Sequence, residues 1–349
     1  MRFSTVAIDA VAHLLPQRVV TSLELEQRLK PCYDRLGFHP GRIELMSGIR
    51  ERRHFEPGTR PSAVAVAAAE SALQEASVPR ERLGVLVFSS VCRDFMEPAT
   101  ATVVHRALGL PAACAPVDLS NACLGFAHAM TMVAGMIELG QIEAGLVVAG
   151  EDGGPLVEAT IRRLNEDAAV NRKSSKFSFA SLTIGSGAAA MVLCKDTLSR
   201  RQHRLLGGCL LADTTANDLC RGGFGAAGMG NDAGPLMETD SETLMQQGVA
   251  LAQSVWAQTR RELGWTNADV DRVFTHQVGV AHRRLLFEKL ELDPSRDFAT
   301  VETLGNIGSV SLPLSLSLGA RQGAVKPGQK VALLGIGSGL VCLNLGVQW

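Results

Sequence analysis

Three residues of unlike type, far apart in the chain, could together carry nucleophilic chemistry on an acyl carbonyl: Cys123, His276 and Asn306. Cys123 ends the small-residue corner Ser120-Asn121-Ala122-Cys123, after a short apolar run and before an apolar-periodic stretch over 124–139. That pattern predicts strand, tight corner and helix, with the thiol at the first helical turn. Unpaired backbone N–H groups and the positive end of the helix macrodipole gather there and favour the thiolate, the nucleophilic form of cysteine. A small buried cysteine filling a helix start fits the local features about equally well, so the rest of the chain decides. His276 follows Val273-Phe274-Thr275 at an expected strand end, and Asn306 lies in Gly305-Asn306-Ile307-Gly308 before an expected helix over 309–320. An asparagine so placed can hold an amide donor towards a developing oxyanion. The run Gly335-Ile336-Gly337-Ser338-Gly339 lacks the ending of a phosphate loop and lies between expected strands, which excludes nucleotide binding. Its glycines instead let backbone N–H groups, at Ser338 and Gly339, approach an acyl carbonyl beside the N–H of Cys123.

The elements that must position these residues repeat. Val249-Ala250-Leu251-Ala252 answers Val64-Ala65-Val66-Ala67, and Asp271 to His276 answers Val85 to Ser90. Val301 to Asn306 answers Val117 to Ala122, and Val331 to Gly335 answers Leu146 to Gly150, all at an offset of about 185 residues. Ile184-Gly185-Ser186-Gly187 answers Ile336-Gly337-Ser338-Gly339 at an offset of about 152, which puts an insertion of roughly 30 residues within 151–180. Alternating strands and helices, duplicated, predict an α/β fold of two βαβ-type halves, spanning 1–195 and 204–349, about a pseudo-twofold axis. Sites in such sheets lie beyond the carboxyl ends of strands, so the repeat brings together Cys123, Glu97 or its neighbours, His276 and Asn306.

Composition excludes several classes. A chain of 349 residues, 46% hydrophobic and 20% charged, suits a globular enzyme with a large core. A net charge of -1 argues against nucleic acid as a partner. Asp9 and His13 interrupt the first apolar run, so no secretory signal is expected, and glycines break the apolar stretch 331–347 too often for a membrane span. Eight scattered cysteines without a CxxC pair suit free thiols in a reducing cytoplasm, with no structural metal. Thr21-Ser22 caps a helix expected to run to residue 36, Pro61-Ser62 starts another to about residue 76, and the Gly-rich stretch 222–234 reads as a loop.

Cys, His and Asn also serve papain-like hydrolases, but a duplicated α/β sheet is not where those enzymes hold them. The chain resembles the thiolase superfamily, and within it the ketoacyl-synthase III group of condensing enzymes. The resemblance rests on Gly48-Ile49-Arg50-Glu51-Arg52, Asn121-Ala122-Cys123, His276-Gln277 and Gly305-Asn306, with the closing Gly-Ser-Gly strand, and covers essentially the whole chain. A finer resemblance, to OleA-type enzymes that join two fatty acyl-CoAs head to head, lies in Ser90 to Thr100 with Glu97, in Leu219-Cys220-Arg221-Gly222 and in Leu334 to Leu340.

That resemblance implies that Cys123 is acylated by an acyl thioester and that His276 and Asn306 polarise a second one. It also implies that Glu97 of a neighbouring subunit, in a homodimer, removes the α-proton. Such a base is needed because an ordinary acyl-CoA, unlike a malonyl thioester, has no carbon dioxide to lose. No tightly bound cofactor is implied, only coenzyme A or carrier-protein thioesters as substrates, with Arg50 as a candidate contact to coenzyme A. Two departures stand out: Leu304 occupies a position where many relatives have His, and Leu45-Met46-Ser47 lacks the adenine-stacking aromatic of some relatives. The basic residues Arg162, Arg163, Arg172, Lys173 and Lys176 of the insertion read as a solvated face or as contacts to coenzyme A phosphates. Rival readings are a decarboxylative synthase using a malonyl carrier-protein thioester, an acyltransferase or thioesterase on the same fold, and a catalytically silent subunit.

Overall fold

A computed structural model of the chain describes residues 1–224 and 234–349. Its centre is a nine-stranded sheet. The strands are β1 (Val6–Leu14), β2 (Leu83–Phe88), β3 (Ala115–Asp118), β4 (Ala144–Glu151), β5 (Gly187–Lys195), β6 (His203–Ala212), β7 (Arg272–Thr275), β8 (Lys330–Gly337) and β9 (Val341–Gln348). Their order across the sheet is β3-β2-β4-β5-β1-β6-β9-β8-β7. Outward from the antiparallel β1–β6 contact, β1-β5-β4-β2 on one side is matched by β6-β9-β8-β7 on the other. β5 and β9 each run antiparallel to both neighbours, while β2 with β4 and β7 with β8 are parallel. One βαβ plan is thus used twice, giving an internally duplicated thiolase-like α/β fold.

Period-two alternation decides which side chains meet. Val85 and Val87 face the central core while Leu86 and Phe88 face the outer one, so both faces of β2 are apolar. The helices Gly125–Glu138 and Ser311–Arg321 fill the central layer, burying Phe126, Met130 and Val133 against Leu312, Leu314, Leu316 and strands of both halves. Helix Pro61–Glu75 covers the outer face of the first half, and Ser241–Leu263 with Val280–Leu290 covers that of the second. These are layered helices and sheets, with one central helix supplied by each half.

Several expectations need correction. Thr21 caps a helix, accepting from the Glu24 N–H at 3.0 Å, but two helices, Ser22–Arg28 and Lys30–Leu36, replace one. Pro31 has no N–H to continue the first helix and sits readily in the opening turn of the second. Val301–Leu304, matched in sequence to β3, is a helical turn and not a strand. Only a remnant of the matching strand remains, an isolated bridge from Asp297 to Val273 with the Phe298 N–H donating to the Val273 carbonyl. Residues 225–233 of the expected Gly-rich loop lie outside the described residues, while its flanks pair as the ribbon Cys220–Phe224 with Pro235–Thr239. Between β4 and β5 stand the helices Gly154–Glu166 and Arg172–Ser178, whereas only residues 338–340 separate β8 from β9.

Gly125 opens the central helix beneath the end of β2, where a Cβ would overlap the Ser89 carbonyl oxygen. Gly125→Ala must push the Cys123 turn and β2 apart. A loss of about 1–3 kcal/mol is expected from overpacking, read as a lower midpoint in chemical denaturation; an unchanged midpoint would contradict this packing.

Candidate active site

The Cys123 corner is tight and strained. The Leu124 N–H donates to the Asn121 carbonyl at 2.9 Å and the Gly125 N–H to the Ala122 carbonyl at 3.2 Å. Ala122 has φ +45°, a left-handed conformation that disfavours any residue with a Cβ by roughly 1–2 kcal/mol. The Asn121 side-chain nitrogen and His128 Nδ1 lie 2.6 Å apart, bracing the corner against the first turns of the helix. Cys123 stands just ahead of that helix, whose first residue is Gly125, and not within its first turn. Its thiol is pushed up to about 12 by burial, with Cys220 and Glu151 adding to the effect. The expected resting thiolate is therefore corrected: removing the site from water outweighs the helix end, and the group rests as a thiol.

Both other expected residues come to this corner from the second half. The His276 N–H donates to the Leu334 carbonyl of β8 at 2.9 Å. Three positions further along that strand, Gly337 lies against the corner, so that a Cβ there would sit 3.4 Å from Leu124 N and 3.6 Å from the Asn121 carbonyl oxygen. One strand thus runs from the His276 backbone to the Cys123 corner. His276 is 3% exposed, and its Nδ1 is buried without a hydrogen-bond partner among the described residues. Burial drives its pKa down to about 3, with His282 contributing, so the ring is neutral. Asn306 is held by backbone bonds, its N–H donating to the Thr183 carbonyl and its carbonyl accepting from Gly185. Its side-chain oxygen accepts from the Gly308 N–H at 3.0 Å, which leaves the amide nitrogen as the free end of the group. Ser309 of the same turn lies 3.7 Å from where a Cβ on Gly125 would be, so the Asn306 turn abuts the Cys123 corner. Ser338 and Gly339 form the β8–β9 turn, fixed by paired backbone bonds between Leu340 and Asp213.

Other expected residues do not join them. Glu97 is exposed in the single chain, on a loop that also exposes Val91, Phe95 and Met96, the last 86% accessible. It caps no helix, because Asp118 accepts from the Thr100 and Ala101 N–H groups that open helix Thr100–Ala107. Arg50 is exposed and pairs with Glu302 at 3.5 Å. In the segment 151–180, Arg163 pairs with Glu238 at 2.9 Å and Arg172 donates to the Leu36 and Gly37 carbonyls, whereas Arg162, Lys173 and Lys176 are exposed. Asp94 accepts from the Ser62 N–H at 2.9 Å.

Two residues escaped the sequence reading. Glu151, 4% exposed, accepts at one oxygen from the Val91 N–H at 2.9 Å, the Ser309 N–H at 3.3 Å and the Ser309 hydroxyl at 2.7 Å. Its other oxygen accepts from the Cys92 N–H at 3.0 Å. The only signal was an acid closing the apolar run of β4. The second is His282, 7% exposed, whose pKa burial lowers to about 4. Among the described residues no helix is long and apolar enough to cross a membrane, and all eight cysteines are unpaired.

A half-buried thiol, a neutral imidazole and an asparagine turn, carried by the two duplicated βαβ halves, are the features of a thiolase-fold condensing enzyme of the acyltransferase class. The family described as 3-oxoacyl-[acyl-carrier-protein] synthase III matches residues 117–213, and its C-terminal region matches 261–349. An acyl-CoA:acyl-CoA alkyltransferase of Shewanella oneidensis is 39% identical over the full length of both chains. Another, of Xanthomonas campestris, is 36% identical, again over all of both. The crystal structure of cerulenin-bound Xanthomonas campestris OleA superposes with a TM-score of 0.93 at 36% identity, covering 100% of this chain and 98% of that one. A cysteine-to-serine variant of that OleA has been solved with lauric acid and lauroyl-CoA bound. This chain belongs to the OleA-type acyl-CoA:acyl-CoA alkyltransferases within the 3-oxoacyl-[acyl-carrier-protein] synthase III family.

With the thiol held up to about 12, alkylation of Cys123 by iodoacetamide should rise about tenfold per pH unit from pH 6 to 10 without levelling. Mass spectrometry of the labelled peptide reads this, and a plateau below pH 8 would contradict it. His276 and His282 bind fewer protons folded, near 3 and 4, than unfolded, near 6.5. Their contribution to stability is therefore complete above about pH 6.5 and lost as pH falls towards the folded values. The urea midpoint should be lower at pH 5 than at pH 7; an equal or higher midpoint would count against buried neutral rings.

Proposed function

We propose that the chain condenses two fatty acyl-CoAs head to head, without decarboxylation, to a 2-alkyl-3-oxo acid. The observation that carries the reading is the seam where the Cys123 corner abuts the Asn306 turn and the strand that holds the backbone of the buried, neutral His276. The Cys123 sulfur adds to the first acyl-CoA, its proton leaves with the departing coenzyme A thiol, and an acyl-Cys123 thioester remains. No standing thiolate is needed if deprotonation accompanies attack, with the neutral imidazole as proton acceptor. Glu97 of the partner subunit then takes the α-proton of the second acyl-CoA. The resulting carbanion attacks the acyl-Cys123 carbonyl while Asn306 and the N–H groups of Cys123, Ser338 and Gly339 hold the oxyanions. Collapse expels the Cys123 sulfur, which regains a proton from Glu97, and hydrolysis of the remaining thioester releases coenzyme A and the oxo acid.

The homodimer is part of this proposal. β3 is an edge strand whose Val117 is exposed, and Val91, Phe95 and Met96 extend the apolar surface along the loop that bears Glu97. An unpaired strand edge beside a contiguous apolar patch is a surface for a second copy. Glu97 there points out of its own chain, as a base lent to a neighbour would. The division into halves 1–195 and 204–349, with an insertion within 151–180, is supported by the matched strand orders and the unequal β4–β5 and β8–β9 connections. The unpaired cysteines support a cytoplasmic location. Lauroyl-CoA, held by the Xanthomonas campestris relative, is the first substrate to offer.

A second reading has its own support. A β-ketoacyl-[acyl-carrier-protein] synthase III of Dinoroseobacter shibae is 29% identical over 98% of both chains. Incubation with lauroyl-CoA alone separates the two. The head-to-head enzyme releases coenzyme A and a condensed product without a malonyl donor, and Glu97→Ala loses condensation by a factor of about 100 or more while Cys123 is still acylated. Cys123→Ala removes both adduct and product. Turnover that requires a malonyl thioester would overturn the reading.

A further inference from the structure

Glu151 is a buried carboxylate with four donors around it and, among the described residues, no cation paired with it. Two donors, the N–H groups of Val91 and Cys92, root the loop that carries Glu97. The other two, the N–H and hydroxyl of Ser309, belong to the turn that carries Asn306 in the other half of the chain. We propose that Glu151 is a positioning residue that locks the base-bearing loop of each subunit to that subunit's own oxyanion turn. The proposal rests on the condensation reading above.

The rest of the loop points the same way. The Ser89 N–H is held by the Val148 carbonyl at 2.8 Å and the Ser90 hydroxyl oxygen by the Gly150 N–H at 2.8 Å. Asp94 is tied to Ser62, and Thr100 with Ala101 to Asp118. Glu97 therefore stands midway between two anchored ends, and Glu151 fixes the end nearer the seam. Gly308 allows the close approach, since a Cβ there would lie 3.1 Å from the nearer carboxylate oxygen. A carboxylate suits this task because it only accepts, whereas a glutamine amide would turn its NH2 towards N–H donors. Burial raises the Glu151 pKa while the N–H and hydroxyl donors lower it again, so the donors compensate a carboxylate that is costly to bury. In a dimer that shares Glu97, the same bond set makes one subunit's oxyanion turn and the base it lends to its partner's site move as one body.

Glu151→Gln and, separately, Ser309→Ala test the lock. Three rates are read with lauroyl-CoA: Cys123 adduct formation by mass spectrometry, α-hydrogen exchange into deuterated water, and condensed product. Glu151→Gln should leave adduct formation within about threefold of wild type while exchange and condensation fall about 10- to 100-fold. Ser309→Ala should shift the same ratio in the same direction by a smaller factor, and it carries the test if Glu151→Gln does not fold. All three rates falling in parallel, or a wild-type ratio of condensation to adduct in the folded variants, would overturn the proposal and leave head-to-head condensation standing. A wild-type enzyme that forms the adduct but neither exchanges nor condenses would overturn the condensation reading itself.

Discussion

Exclusion of water from the seam between the halves sets the charge of the groups that meet there. A thiolate in a poorly hydrated site loses more solvation than a nearby helix end returns, so Cys123 stays protonated. The same burial keeps His276 and His282 neutral and raises Glu151. A neutral imidazole and a neutral thiol are a fitting resting state for the proposed acyl transfer, because no bare nucleophile is exposed to adventitious electrophiles. The oxyanion that forms later finds amide donors already fixed, in surroundings where each is worth more than in water.

Duplication explains how a chain of mixed strands and helices makes such a seam. The central helices Gly125–Glu138 and Ser311–Arg321 start side by side, so the corner before one meets the turn before the other. The first-half corner carries Cys123 and the second-half turn carries Asn306. β8 runs between the His276 backbone, held at Leu334, and the Cys123 corner, which Gly337 lies against. The halves have diverged where their tasks differ. Helices Gly154–Glu166 and Arg172–Ser178 pack on the early helices of the chain, burying Val157, Ile161 and Leu164 against Leu25, Leu29 and Tyr33.

Much of this was legible because apolar runs and small-residue corners leave strong marks. The strand before Cys123, the helix after it, the strand ending at His276 and the four matched segments were all visible in residue order. Residues 301–304 misled because Val-Glu-Thr-Leu suits a strand and a helical turn equally, and tertiary pairing chose the turn. Pro31 was a local signal that one long helix had to break. The charge state of Cys123 was not legible, since desolvation depends on what packs from residues hundreds of positions away. Glu151 was hidden for the same reason: its donors come from two distant segments, and sequence shows only an acid after Gly150.

The measurement that bears most directly on the account is subunit complementation between Cys123→Ala and Glu97→Ala proteins, each inactive in condensation alone. After subunit exchange, a mixed dimer pairs an intact Cys123 from one chain with an intact Glu97 from the other in one of its two sites. The account predicts that condensation of lauroyl-CoA returns, to about a quarter of the wild-type rate for random reassociation. Mixed dimers that form and acylate Cys123 yet release no condensed product would contradict it.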